Sequence, residues 1–161
     1  MHASNMNRRA ALGFLGVAGT AILMFPARVA SAGFQVAHSP AEWRRLLGAQ
    51  RYAVLREAAT EPAFSSPLLK EHRKGVFTCA GCALPLFSSA TKFESGTGWP
   101  SFWKPLPHAV VTRPDRSLLM GRTEVICARC GGHLGHVFDD GPKPTGLRYC
   151  MNGLALNFKV A

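Results

Sequence analysis

Two Cys-x-x-Cys units, Cys79-Ala80-Gly81-Cys82 and Cys127-Ala128-Arg129-Cys130, stand 44 residues apart in this chain. Four thiols at that spacing read as the ligands of one tetrahedral zinc, because the small residues of each knuckle let backbone amides turn toward the sulfurs. Such a site has no open coordination position, so its work is to tie two distant hairpins together. A pair of local disulfides is the competing reading, since exported proteins meet an oxidising compartment. A redox role for either pair has less support, because no thioredoxin-like βαβ pattern surrounds it.

Export is suggested by the first 32 residues. Arg8 and Arg9 precede an apolar run from Ala10 to Ala27, and Ala30-Ser31-Ala32 follows as a small-residue cleavage site. The stretch Asn7-Arg8-Arg9-Ala10-Ala11-Leu12 resembles a twin-arginine signal, which carries proteins across the membrane already folded. An uncleaved anchor is the alternative, but a run of about 18 residues interrupted by Pro26 and three glycines is short for a bilayer. The expected division is therefore an export signal over 1–32 and one catalytic domain over 33–161, with a periplasmic destination. Cleavage removes three arginines and no acid, taking the formal charge from +10 to +7, and a zinc tetrathiolate would lower it to about +5. The remaining basic residues are scattered without a run of five, which argues for a solvated face over a nucleic-acid surface.

Within the domain, Ser39-Pro40-Ala41-Glu42 reads as a capping box with proline at the first helical position. The helix is expected through Trp43, Leu46 and Leu47, with a pause near Gly48 and a second part over Tyr52 to Ala58. Pro62 and Ser65-Ser66-Pro67 end this arm and cap one further turn, Leu68 to His72. Beyond Gly75, short runs rich in aromatic and β-branched residues are separated by Gly, Pro and Asp turns. They are Gly75 to Thr78, Ala109 to Thr112, Leu118 to Ile126, Leu147 to Met151 and Ala155 to Val160. The fold class is mainly β, an antiparallel core with a short helical N-terminal arm.

Four zinc ligands leave one cysteine over. In Leu147-Arg148-Tyr149-Cys150-Met151-Asn152 the strand period puts Arg148, Cys150 and Asn152 on one face, with Tyr149 and Met151 on the other. A cation and an amide beside a thiol favour a nucleophile with a lowered pKa, whereas a core cysteine would sit among apolar residues. His133 and His136 follow the second knuckle directly and are natural general acids near neutral pH. The turn Phe138-Asp139-Asp140-Gly141-Pro142 offers a carboxylate to orient them.

Ser95-Gly96-Thr97-Gly98-Trp99-Pro100-Ser101-Phe102, His133-Leu134-Gly135-His136-Val137-Phe138, Asp140-Gly141-Pro142 and Arg148-Tyr149-Cys150-Met151-Asn152 closely resemble the signature blocks of the B-type methionine sulfoxide reductases. The likeness extends from Ser39 to the C-terminus. It takes in both knuckles and the arm Glu61-Pro62-Ala63-Phe64-Ser65-Ser66-Pro67-Leu68-Leu69. The resemblance implies two antiparallel sheets with a structural zinc at one end, and reduction of the R epimer of methionine sulfoxide in peptides and proteins.

On that resemblance Cys150 is the nucleophile that attacks the sulfoxide sulfur and becomes a sulfenic acid. His133 and His136 bind and protonate the oxygen, Asn152 bonds within their network, Asp140 orients a histidine, and Arg148 helps hold the thiolate. Trp99 is the wall for the substrate methyl group, and Phe138 is a second substrate contact. Many members carry a resolving cysteine where this chain has Thr97, so an external thiol donor, such as a thioredoxin-like domain, is expected to reduce the sulfenic acid. The partners implied are oxidised polypeptides and that reductant, with no nucleic acid, no stable membrane association once the signal is removed, and a monomeric state.

Two other functions remain to be separated. A zinc-ribbon binding module would explain the knuckles and the charge but not the histidine pair or the Trp99 loop. A cysteine hydrolase using Cys150 and His136 would require an oxyanion hole that no motif supplies.

Overall fold

A computed structural model describes residues 33–115 and 121–161. The export signal read over 1–32 and the start of the strand expected at Leu118 lie outside the described residues.

Helix α1 spans Pro40–Glu57 and begins as its sequence requires. The Ser39 hydroxyl accepts from the Glu42 amide at 3.2 Å, and the Glu42 carboxylate accepts from the Ser39 amide at 2.9 Å. Two orphan amides of the first turn are thus satisfied reciprocally. Gly48 leaves the helical region at φ 70°, ψ 170°, so the helix is kinked at the expected pause. Trp43, Tyr52, Val54 and Leu55 are buried, whereas Leu46 faces outward. A 3₁₀ turn, η1, covers Pro67–Lys70 with Ser66 as its cap.

The β core is two antiparallel sheets. The first has three strands, with β1 (Gly75–Cys79) between β2 (Pro85–Ser88) and β9 (Leu156–Val160). The second has six strands in the order β3-β4-β8-β7-β6-β5. These are β3 (Lys92–Phe93), β4 (Ser101–Phe102), β5 (Val110–Asp115), β6 (Arg122–Cys127), β7 (His133–Phe138) and β8 (Arg148–Met151). Two further 3₁₀ turns complete the described elements, η2 at Ser89–Thr91 and η3 at Gly153–Ala155.

Phe77, Phe87, Phe102, Leu134, Met151 and Leu156 have essentially no solvent contact. They join residues of both sheets and of α1 in one apolar cluster. Phe87 stacks on Phe102 with ring centroids 4.4 Å apart, and Phe77 meets Phe102 edge-on at 4.9 Å. Met151 and Tyr149 of β8 point into this core as the period of two predicts, and that turns Cys150 to the opposite face. Strand β7 was not expected from the sequence. It is central to the larger sheet and carries both histidines.

Candidate active site and metal centre

Each knuckle closes a strand. Cys79 ends β1 and Cys127 ends β6, so the four sulfurs join the small sheet to the large one. Turn hydrogen bonds fold each loop back on itself, from the Ala83 amide to the Cys79 carbonyl and from the Gly131 amide to the Cys127 carbonyl. The Gly81 amide points at the Cys79 sulfur, 3.4 Å away.

All five cysteines are free thiols. The sulfurs of Cys79, Cys82, Cys127 and Cys130 lie within 4.8 Å of one another, with Cys79–Cys130 at 3.7 Å and Cys82–Cys127 at 3.5 Å. Ligands 2.3 Å from a tetrahedral zinc would be about 3.8 Å apart, so the donor set and its spacing fit a metal ion. Hydrogen bonds from neighbouring thiols push Cys82 and Cys127 toward thiolate, while their counterparts Cys79 and Cys130 are pushed the other way.

The fifth thiol lies in a separate cleft. Cys150, in the middle of β8, is flanked in register by Ser101 of β4 on one side and His136 of β7 on the other. The cleft around it is lined by Thr60, Trp99, Gly135, His136, Phe138 and Asn152, with Arg122. Gly135 lets the strands meet here, since a Cβ at that position would collide with the Cys150 carbonyl oxygen. The Thr97 hydroxyl lies 3.8 Å from the Cys150 sulfur and starts a chain of hydroxyls, Thr97 to Ser95 at 2.9 Å and Ser95 to Ser101 at 2.7 Å.

Both histidines are aimed by acids. His133 Nδ1 bonds Glu124 at 2.7 Å, and His136 Nε2 bonds Asp115 at 2.8 Å. The ring centroids are 5.4 Å apart. Among the described residues His133 Nε2 is buried without a hydrogen-bond partner, and His133 lines a different depression, with Glu124 and Arg113, from the cleft that holds His136 and Cys150. Burial pushes the His133 pKa down, only partly opposed by Glu124, so its imidazole is neutral at pH 7. Burial also acts on Glu124, but hydrogen bonds from Arg113 and His133 outweigh it and hold the carboxyl ionised.

A family model described as the SelR domain matches residues 47–160. The chain belongs to the B-type methionine sulfoxide reductases. A relative from Leptospira interrogans, named peptide methionine sulfoxide reductase MsrB, is 50% identical over 127 residues, covering 78% of this chain and 97% of its own. Relatives of the same name from Methanosarcina barkeri and Bradyrhizobium diazoefficiens are each 54% identical over 126 residues. Each covers 78% of this chain, with 89% and 91% of their own lengths.

In this reductase three expectations change. Asp140 orients no histidine. Its carboxylate accepts two hydrogen bonds from Arg148, Nε and Nη2, both at 2.8 Å, and that guanidinium holds it below the usual carboxylate range. The orienting acids are Glu124 on β6 and Asp115 on β5, and Asp115 also takes Arg122 at 2.8 Å.

Arg148 acts on the Cys150 sulfur in the expected direction, although two of its donors go to Asp140 and its guanidinium lies 4.4 Å over the Phe138 ring, but the Cys150 thiol is not lowered overall. Burial pushes it above its ordinary value, and Thr97, Arg148 and Ser101 only partly compensate. Burial thus favours the protonated thiol, and thiolate is expected to accumulate only at a pH above the ordinary cysteine range. Stopped alkylation of Cys150 by iodoacetamide, followed by mass spectrometry, is expected to accelerate steadily from pH 7 to 9.5. A rate already at its plateau at pH 7 would contradict this.

Among the described residues the Asn152 side chain makes no hydrogen bond to a histidine. Its Nδ2 donates to the Leu134 carbonyl at 3.2 Å and its Oδ1 accepts from the Glu61 amide at 3.0 Å, which fixes it beside Cys150 in the cleft wall.

Glu61 was not singled out by sequence, although it holds three parts of the site together. It is only 4% exposed, its carboxylate accepts from the amides of Gly153 and Leu154 at the start of η3, and its carbonyl accepts from Trp99 Nε1 at 3.1 Å. Glu61→Ala keeps the backbone bonds to Asn152 and Trp99 but leaves the buried Gly153 amide and the part-buried Leu154 amide without their carboxylate partner. Stability is expected to fall by about 3 kcal/mol, measured by urea unfolding, from the hydrogen bonds lost to a charged group.

Proposed function

We propose that this chain reduces methionine R-sulfoxide in oxidised peptides and proteins through a Cys150 sulfenic acid, on a scaffold held by structural zinc. One observation carries the reading: a solitary thiol at the floor of a cleft walled by Trp99 and Phe138, with a pair of acid-oriented histidines across β7. That arrangement has a nucleophile, an apolar wall and, in His136, an imidazole that can carry a proton.

The substrate thioether methyl packs against Trp99, and the sulfoxide oxygen lies toward His136. Cys150 attacks the sulfoxide sulfur as its proton moves to the oxygen, directly or through an imidazole. The sulfur–oxygen bond of the substrate breaks, the oxygen ends on Cys150 as sulfenic acid, and methionine leaves reduced by two electrons. A raised thiol pKa suits this step, because the proton needed at the oxygen arrives with the nucleophile. One thiol of an external reductant then displaces water from the sulfenic acid to form a mixed disulfide. A second thiol releases Cys150. A thioredoxin-like donor is the expected partner, since the only described cysteines besides Cys150 form the metal cluster.

Zinc is the metal of this reading, held by Cys79, Cys82, Cys127 and Cys130. Its part is structural, with four thiolates leaving no position open to substrate. Export by the twin-arginine route to the periplasm, with cleavage after Ala32, completes the reading. It is supported by Arg8, Arg9 and the small-residue site. Replacing both arginines by lysine is expected to keep the full-length chain inside the cell, read by fractionation and by the mass of the retained protein.

The reaction is tested with dabsylated methionine R- and S-sulfoxides and dithiothreitol. Consumption of the R epimer alone is expected, and reduction of neither by zinc-loaded protein would bring the zinc-module reading forward.

The position of Thr97 gives a separate test of how the sulfenic acid is resolved. With its side chain 3.8 Å from the Cys150 sulfur, Thr97→Cys needs only a small rotation to reach disulfide distance. One equivalent of peptide methionine R-sulfoxide should convert this variant to a form lighter by about 2 Da, the two hydrogens lost in a disulfide. The wild-type chain, under the same conditions, should gain about 16 Da, one oxygen. A wild-type product with Cys150 bonded to Cys79 or Cys127 would overturn the external-reductant route.

A further inference from the structure

Phe64 is conspicuous on two independent grounds. It is 71% exposed, the most open of the large apolar side chains among the described residues. Its backbone also stands at φ 64°, a left-handed conformation in which a bulky side chain is strained. Neither feature serves the core. The strained backbone is held by a hydrogen bond from the Phe64 amide to the Gly98 carbonyl at 2.8 Å, one residue before Trp99. The approach is so close that a Cβ on Gly98, itself at φ 94°, would lie 2.9 Å from the Phe64 nitrogen and 3.0 Å from its ring. The Gly98 position thus requires glycine so that Phe64 can lie against the Trp99 loop.

Phe64 also lines a groove with Leu69, His72, Gly96, Gly98 and Trp99, whose charged members are Lys70 and Glu94. Trp99 lines both this groove and the Cys150 cleft. The two depressions therefore adjoin at one residue, Trp99.

A methionine sulfoxide inside a polypeptide enters the cleft with neighbours attached, and these neighbours must leave along the surface beside Trp99. Each extended residue spans about 3.3 Å, so the next one or two side chains fall within reach of an adjoining groove. We infer that the Phe64 groove is a subsite for the polypeptide substrate, taking an apolar side chain that flanks the oxidised methionine in an extended, unfolded segment. This rests on the peptide sulfoxide reductase reading and deepens it. Damaged proteins expose apolar neighbours of their methionines on unfolding, so an exposed phenylalanine beside the catalytic cleft would direct the enzyme toward them.

The test compares three substrates of R configuration with dithiothreitol as reductant. They are N-acetyl methionine sulfoxide methylamide, a blocked pentapeptide with glycines around the sulfoxide, and the same pentapeptide with leucines beside it. The wild-type protein is expected to prefer the leucine peptide over the glycine peptide by about tenfold in kcat/KM, the change residing in KM, as for one partly buried apolar side chain. Phe64→Asn, which suits a positive φ and so keeps Tm at or above the wild-type value, should lose that preference. It should still reduce the methylamide, which has no flanking side chain, within about twofold of wild type. Phe64→Tyr should retain the preference. Equal use of the two peptides by the wild-type protein, or an undiminished preference in Phe64→Asn, overturns the subsite. Failure of the wild-type protein to reduce the methylamide would count against the reductase reading instead.

Discussion

Cys150→Ser is expected to abolish reduction of methionine R-sulfoxide while leaving Tm unchanged. Oxygen replaces sulfur at a position that is half-buried between Ser101 and His136 and belongs to no core packing. The neighbouring hydroxyls of Thr97 and Ser101 accommodate another hydroxyl, so the sheet has no reason to change. A serine hydroxyl is far less nucleophilic toward sulfur and cannot be carried through an acid of the sulfenic kind, so kcat/KM should drop on the order of 10⁴-fold or more, to background.

The comparison that gives this meaning is His136→Asn, where the thiol remains and a proton donor is lost. A loss of about 10²- to 10³-fold is expected there, the usual range for one general acid. The two effects should not add in the double variant, because both groups serve one bond-breaking step. If Cys150→Ser kept more than a hundredth of wild-type activity, sulfur would not be the nucleophile and the cleft would need another reading.

The sequence spoke most clearly where contacts are local. Ser39, Pro40 and Glu42 fix the start of α1 within four residues, and Gly48 breaks it where it stands. The face of β8 follows from a period of two, so Cys150 could be separated from Met151 and Tyr149 without a structure. The four knuckle cysteines are legible for the same reason, each pair being a local turn.

What stayed hidden depends on register. Strand β7 contains two histidines and a glycine in six residues, a composition with little β signature, and becomes a strand because β6 and β8 pair with it on both sides. The acids of the site were misread through sequence proximity. Asp140 stands close to His136 along the chain and turns to Arg148 instead. Asp115 and Glu124, 21 and 9 residues from the histidines they bind, arrive through the β5–β6–β7 pairing. Glu61 bonds the amide of Gly153 across 92 residues, a relation no periodicity can express. Nor does the hexapeptide around Cys150 convey burial, which raises the thiol pKa that Arg148 was expected to lower.

The second large effect is expected at the metal centre. Cys127→Ser should yield a chain that holds no zinc and has no cooperative thermal transition. Cys127 is fully buried at the end of β6, and its sulfur lies 3.5 Å from Cys82, beyond the end of β1. Apart from packing, the cluster joins the three-stranded to the six-stranded sheet at this point. Structural zinc contributes roughly 10–16 kcal/mol in zinc-finger peptides, against a total of about 5–15 kcal/mol for a domain of this size. Removing one ligand therefore outweighs the net stability, even if the remaining core retrieves part of it.

The catalytic cleft lies apart from the cluster, yet β7 begins six residues after Cys127, so His133 and His136 lose their placement when the knuckle opens. Elemental analysis should find one zinc per wild-type chain and no iron, and near-UV circular dichroism should lose its signal in the variant. A metal-free Cys127→Ser protein that melts cooperatively within about 5 °C of wild type would show that packing alone joins the sheets, and that the four thiols are not the staple they resemble.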